Sequence, residues 1–157
     1  MMPFLLLCWY VQDLTQVLLS TAFLAPEIFM LALNAQTIAK EDLAPWWYLV
    51  PFMGGLLFDL RWTGVVGLCS TLYPLAFFLF RWFWFSKLPR DGRTKAPFVF
   101  ANEVMCLVLL VTRMAFWRGD GSLGHLVWLG LFAALLSQPP LWLMASLAPY
   151  EDDAPHF

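Results

Sequence analysis

The sequence predicts an all-α integral membrane protein, a compact bundle of about six transmembrane helices with both termini in the cytoplasm. Hydrophobic residues make up 61% of the 157 residues and charged residues only 13%. Soluble domains carry about a quarter charged residues, so this composition does not fit one. The nine tryptophans suit an aromatic belt at headgroup depth. We expect residues 1–150 to form one transmembrane domain, followed by a short acidic cytoplasmic tail at 151–157.

Prolines, glycines and charges divide the chain into six apolar segments. Pro26, Pro45 and Pro97 stand where a first-turn proline is tolerated, and Asp120-Gly121 marks a tight turn. The predicted helices cover residues 3–24, 26–40, 45–60, 63–86, 97–117 and 123–147. The second and third are short. They are either tilted segments that do not each cross fully or one broken hairpin.

The distribution of the nine cations sets the expected orientation. Five of them surround the connection between the fourth and fifth segments: Arg81, Lys87, Arg90, Arg93 and Lys95. The positive-inside rule places this connection in the cytoplasm. With six crossings, both termini and Lys40 then lie on the cytoplasmic side.

Polar residues form stripes within the first two segments. Asp13, Gln16 and Ser20 share one helix face, which should point into the bundle. Glu27 and Asn34 are seven residues apart on the second segment. The stripes either hold a ligand or fix helix packing through interhelical hydrogen bonds. Arg113 either snorkels to the interface or pairs with a carboxylate on another helix, and we expect Asp59 to be that carboxylate.

Several function classes find no support in the sequence. The net charge is −2 and no basic run is interleaved with aromatic residues, so we expect no nucleic-acid partner. The three cysteines are scattered singly, which predicts buried hydrophobic side chains with no metal site. No catalytic triad, metalloprotease helix or phosphate-binding loop is present. We therefore expect neither catalysis nor a cofactor.

The stretch from Gly54 to Leu68 is a compact polar interruption within forty mostly apolar residues. Gly55 would let a neighbouring backbone approach closely, and Gly64 and Gly67 would do the same on the following helix. Asp59 would accept hydrogen bonds from Thr63 and the donors beyond it at the start of that helix. The motif is either a structural turn or a contact site for a partner.

This stretch resembles the signature of the MreD family, small multi-span proteins of the bacterial rod-shape system. In that family a Gly-x-x-x-Asp helix is followed about eight residues later by a glycine, matched here by Gly55, Asp59 and Gly67. Pro26-Glu27 is similar to the family's Pro-Asp step, with Glu27 where Asp is usual.

The resemblance implies a non-catalytic scaffold of the cell-elongation complex, or elongasome, in the bacterial inner membrane. Its expected partner is an MreC-like single-span protein. Through that protein it would link the MreB cytoskeleton to RodA and its penicillin-binding transpeptidase in peptidoglycan synthesis and cell-shape control.

A second hypothesis comes from another class of protein. The substrate-binding subunit of an energy-coupling-factor vitamin transporter is similar in size and helix number. It would use Asp13, Gln16, Glu27 and Asn34 as its pocket. Such subunits commonly carry an Ala-x-x-x-Ala step in the first helix, whereas here the step runs from Ala35 to Ala39 in the second.

Overall fold

The computed structural model describes residues 2–19, 26–63, 65–116 and 123–150, and the regular secondary structure in these ranges is helical throughout. This part of the chain contains six α-helices, as the sequence predicts. They are α1 Met2–Leu19, α2 Ile28–Thr37, α3 Leu49–Phe58, α4 Leu68–Trp82, α5 Lys95–Phe116 and α6 Leu123–Leu147. A 3₁₀ turn at Pro45–Tyr48 precedes α3, and another lies at Arg90–Gly92. Wider π-helical turns continue α3 over Asp59–Thr63 and α4 over Phe83–Lys87.

Three of the described segments are long and apolar enough to cross a membrane. They are Leu68–Lys87, Lys95–Arg113 and Gly130–Leu147. By contrast, α2 has ten residues and is about 15 Å long, half the roughly 30 Å of a hydrocarbon core. The helix predicted at residues 26–40 is therefore shorter than expected.

The short helix α2 forms the centre of the bundle. Four successive residues, Met30, Leu31, Ala32 and Leu33, are fully buried. The helix packs against α1, α3, α4 and α6. A helix that is apolar on all sides belongs inside a bundle, where its neighbours replace lipid.

The outer helices direct large apolar side chains away from this core. Leu18, Trp128 and Leu135 are each at least two-thirds exposed within the chain. Apolar residues facing outward over most of a bundle are typical of a surface surrounded by lipid or by other helices.

The cations expected in the cytoplasm meet at one end of the bundle. Arg81 donates hydrogen bonds to the carbonyls of Thr37, Lys40 and Glu41 at 2.7–3.0 Å, which caps the carboxyl end of α2. Lys95 donates to Ser146 of α6 at 2.9 Å. We call this region the basic end: Lys40, Arg81, Lys87, Arg90, Arg93 and Lys95.

Candidate functional site

The close approach predicted at Gly55 is present between α3 and α4. A Cβ atom at Gly55 would lie 2.5 Å from the carbonyl carbon of Cys69 and 2.7 Å from the nitrogen of Ser70. Backbone atoms cannot swing aside as a flexible side chain can. The first turn of α4 therefore rests directly on the α3 backbone, and only glycine fits there.

Asp59 lies one helical turn after Gly55 and faces the same part of α4. Its carboxylate, on a residue only 1% exposed, accepts hydrogen bonds from the backbone N–H groups of Gly67, Cys69 and Ser70 at 3.1, 2.8 and 3.0 Å. These donors are the free N–H groups at the start of α4, where a negative charge is stabilised. Asp59 thus closes the turn between α3 and α4, as expected of a structural turn, although the donors lie beyond Thr63.

Gly67 has a different role from the close packing that we expected. Nothing lies within 4 Å of where its Cβ would be, but its φ of +108° is a backbone conformation that L side chains rarely adopt. This left-handed residue turns the chain into α4 and brings the N–H groups to Asp59. Gly64, assigned to the same packing role, lies outside the described residues.

Arg113 and Glu27 form a buried ion pair between the last turn of α5 and the start of α2. The guanidinium Nη2 lies 2.5 Å from Oε1 of Glu27, and the two residues are 3% and 5% exposed. The sequence led us to expect Asp59 beside Arg113, and this was wrong. The chain turns at Pro26 and Glu27 and carries the Glu27 carboxylate inward, whereas Asp59 is occupied by the backbone of α4.

Tyr73 and Gln12 extend this ion pair into a hydrogen-bond network that joins α1, the start of α2, α4 and α5. The Tyr73 hydroxyl donates to Oε2 of Glu27 at 2.7 Å and accepts from Arg113 at 2.6 Å. The Gln12 amide donates to the same Oε2 at 3.3 Å, and its oxygen accepts from the N–H of Phe29 at 2.9 Å. The Arg113 guanidinium also lies 4.3 Å from the Phe58 ring, in a cation–π contact.

The predicted polar stripes are divided among separate contacts. Asp13 is buried and pairs with Arg61 at 3.0 Å, while Trp62 donates to it at 2.8 Å. Asn34 donates to Asn102 of α5 at 2.8 Å. Gln16 is buried, as an inward-facing position should be, and Ser20 lies outside the described residues. Asp13 and Asn34 therefore join helices at different places and do not line a common pocket.

Little free space adjoins the network around Glu27 and Arg113. The cavity beside Glu27 and Arg113, bounded also by Glu103 and Ser137, has a volume of about 30 Å³. That volume suits one or two water molecules, whereas pockets for organic ligands are about ten times larger. No cluster of three or more His, Cys, Asp or Glu within the described residues could hold a metal ion.

No role was expected from the sequence for Tyr73, Asn102, Trp62 or Gln12. The hydrogen-bond partner of each comes from a distant part of the chain. These contacts join polar residues on different helices. The spacing of residues along one helix does not show which residue of another helix it will meet.

No protein-family model, curated protein or solved structure matches this chain. The class of this protein is therefore assigned from its fold and its contacts. Within the described residues the protein is all-helical, with three segments suited to crossing a membrane, a capped α3–α4 hairpin and a buried ion-pair network.

Proposed function

We propose that this chain is a non-catalytic, MreD-like scaffold subunit of the bacterial cell-elongation complex. It would bind an MreC-like single-span protein and thereby link MreB to RodA and its transpeptidase. One observation carries the proposal. The three residues that match the family's Gly-x-x-x-Asp helix and following glycine, Gly55, Asp59 and Gly67, act together in the α3–α4 hairpin. Because the three matching residues form one structural unit, the match to the family pattern is less readily explained by coincidence than three unconnected matches would be.

The surface and interior of the chain suit a scaffold. The interior charges Glu27 and Arg113 are paired with each other, and the cavity beside them holds only about 30 Å³. Long runs of outward-facing apolar side chains on α1, α5 and α6 offer contact surface to other helices as well as to lipid. A protein of this kind meets its partners within the bilayer.

The proposed topology has six helical crossings in the bacterial cytoplasmic membrane, with both termini in the cytoplasm. The carboxyl ends of α2, α4 and α6 and the start of α5 meet at the basic end, which supports an alternating path. The turns that flank α3 lengthen its helical stretch to Pro45–Thr63, while α2 remains central and short.

A reporter pair tests this topology. A fluorescent protein that matures only in the cytoplasm, fused after Phe157, should be bright, and a phosphatase active only in the periplasm should be silent there. The same pair fused after Gly121, in the connection between α5 and α6, should give the opposite pattern. A periplasmic signal at the C-terminus would overturn the six-crossing arrangement.

The transporter alternative is not favoured by the geometry. Its pocket would need Asp13, Glu27 and Asn34 to face one cavity. In the structure these residues contact Arg61, Arg113 and Asn102 respectively.

Partner capture tests the proposed function directly. We would tag the chain, solubilise its native membranes gently and identify the accompanying proteins by mass spectrometry. An unrelated multi-span protein with the same tag and expression level serves as the control. An MreC-like protein or cell-wall synthases enriched over that control are expected. Recovery of ATPase subunits instead would move the assignment to the transporter class.

A matched pair of variants then asks whether the hairpin matters for shape. Asp59→Asn removes the buried charge, and Asp91→Asn makes the same chemical change at an exposed position. We expect the first variant to lose rod shape and partner capture, and the second to behave as wild type. Full complementation by Asp59→Asn, at equal membrane levels, would show that the hairpin charge has no part in assembly.

A further inference from the structure

A cavity at the basic end has a different character from the apolar grooves elsewhere on the bundle. Its volume is about 190 Å³, and it lies between the end of α2, the end of α4 and the segment after α6. Polar side chains from separate parts of the chain line it: Glu41, Trp84, Arg90, Arg93 and Tyr150.

Three buried polar atoms on this lining have no hydrogen-bond partner within the described residues. They are the indole Nε1 of Trp84, the guanidinium Nε of Arg93 and the hydroxyl of Tyr150. Trp84 is 1% exposed and Arg93 is 9% exposed. Indole and guanidinium nitrogens only donate, so these groups require an acceptor. Buried donors rarely remain unpaired, because each then loses its hydrogen bond to water without replacement.

The surrounding contacts hold these donors in position. Arg93 donates through Nη2 to the carbonyl of Phe85 at 3.3 Å, and its guanidinium lies 4.9 Å from the Phe85 ring. The indole of Trp84 and the ring of Tyr150 both pack edge-on against Phe98. Neither contact uses the three unpaired atoms, and their side chains line the cavity.

The charges on the cavity lining favour an acceptor group that is negatively charged. Arg90 and Arg93 bring two positive charges, and Glu41, whose carboxylate is 3.8 Å from Arg90, brings one negative charge. The lining is therefore positive by one charge. Burial raises the pKa of the Tyr150 hydroxyl from 10.0 to about 12, so this group keeps its proton at neutral pH and can donate.

We infer that this cavity is a binding site for a phosphate group, held by Trp84, Arg93 and Tyr150 with Arg90 at the rim. A phosphate offers several acceptor oxygens around one centre and carries the charge that the lining lacks. The site lies where the proposed topology puts the cytoplasmic membrane surface, so an anionic phospholipid headgroup is one source of the phosphate. Free inorganic phosphate is the other. The inference does not depend on the scaffold role.

Binding can be measured on the full chain in neutral maltoside micelles by isothermal titration calorimetry. The probes are short-chain phosphatidylglycerol, short-chain phosphatidylcholine and inorganic phosphate, at constant ionic strength. Tighter binding of phosphatidylglycerol than of the other two would assign the site to an anionic headgroup. Tighter binding of inorganic phosphate would assign it to a soluble phosphate. Absence of measurable binding by all three overturns the inference.

Two variants separate this site from general charge attraction. Arg93→Gln should weaken binding about tenfold or more, because it removes a buried charged donor. Lys87→Gln removes the same charge at the basic end from an exposed side chain outside the cavity, and should change binding less than twofold. Equal weakening by both variants would mean attraction to the basic end as a whole and would overturn the site.

Tyr150→Phe provides a second test of the site in case Arg93→Gln does not fold. It keeps the ring that packs on Phe98 and deletes only the hydroxyl. We expect binding to weaken several-fold or more, as for the loss of one hydrogen bond from a neutral donor to a charged acceptor. If Tyr150→Phe binds as wild type does, the hydroxyl is not part of the site and the three-donor arrangement is wrong.

Discussion

Two buried carboxylates of this protein, Asp59 and Glu27, are stabilised by different kinds of hydrogen-bond donor. Asp59 receives three backbone N–H groups from residues only 8 to 11 positions further along the chain. Glu27 receives side-chain donors from Gln12, Tyr73 and Arg113, which lie on three different helices. Both carboxylates are almost wholly buried, so the difference lies in the origin of the donors.

The two regions depend to different degrees on the rest of the fold. The cap between α3 and α4 is formed by residues of that hairpin: Gly55 admits the helix, Gly67 turns the chain and Asp59 accepts hydrogen bonds from the free N–H groups. The Glu27 network exists only after α1, α4 and α5 have packed around the start of α2. We therefore expect changes at the network to disturb the whole bundle, and changes at the turn to act on one hairpin.

The largest effect is expected from Arg113→Met. Removing one partner of a buried ion pair leaves the other charge without compensation, which costs about 3–5 kcal/mol. Unfolding in mixed micelles with increasing dodecyl sulfate measures this loss. Arg90→Met, which removes an exposed pair with Glu41, should change stability by less than about 1 kcal/mol.

A double variant tests whether the network is the cause. Adding Glu27→Gln to Arg113→Met removes the uncompensated charge and should restore part of the lost stability. Additive destabilisation in the double variant would mean that the two residues act independently, contrary to their contact in the structure.

Gly55→Ala should have the next largest effect, about 1–3 kcal/mol or more, because the new methyl group meets the backbone of Cys69 and Ser70. Gly92→Ala is the matched control, since its Cβ would approach nothing closer than 3.4 Å. The amount of folded protein in fluorescence-detected size-exclusion chromatography gives the measurement. Similar yields for both variants would argue against the close approach of α3 and α4.

Asp59→Asn should destabilise the hairpin by about 1.5–3 kcal/mol. An amide has one acceptor oxygen, so it cannot serve the N–H groups that the two carboxylate oxygens now share, and its NH₂ group meets a donor. Amide hydrogen exchange resolved by mass spectrometry should show faster exchange in the first turn of α4. Asp91→Asn is the control, and unchanged protection in Asp59→Asn would contradict the cap.

The smallest effect is expected at Gly67. Gly67→Ala should cost about 1–2 kcal/mol through its left-handed backbone alone, since no neighbour obstructs the methyl group. Gly67→Asn should cost less, because asparagine tolerates this conformation better than alanine. The order of the two thermal midpoints checks this, and an alanine variant at least as stable as the asparagine variant would rule out the conformational explanation.

The part of this fold that is readable from the sequence is the part built from neighbouring residues. The six helical segments follow from proline, glycine and charge punctuation. The tasks of Gly55 and Asp59 follow from a one-turn spacing before a helix start. Gly67 was placed in the right turn but given a packing role, because a positive φ is not visible in composition.

The all-helical class, the apolar character, the collection of cations near the fourth and fifth segments and the α3–α4 turn all follow from the order of residues along the chain. The pairing of Arg113 with Glu27, the central position of α2 and the cavity shared by Trp84, Arg93 and Tyr150 follow from how the helices pack. Local turns depend on backbone geometry within a few residues, whereas the partner of a buried charge depends on how helices rotate and pack across the whole bundle.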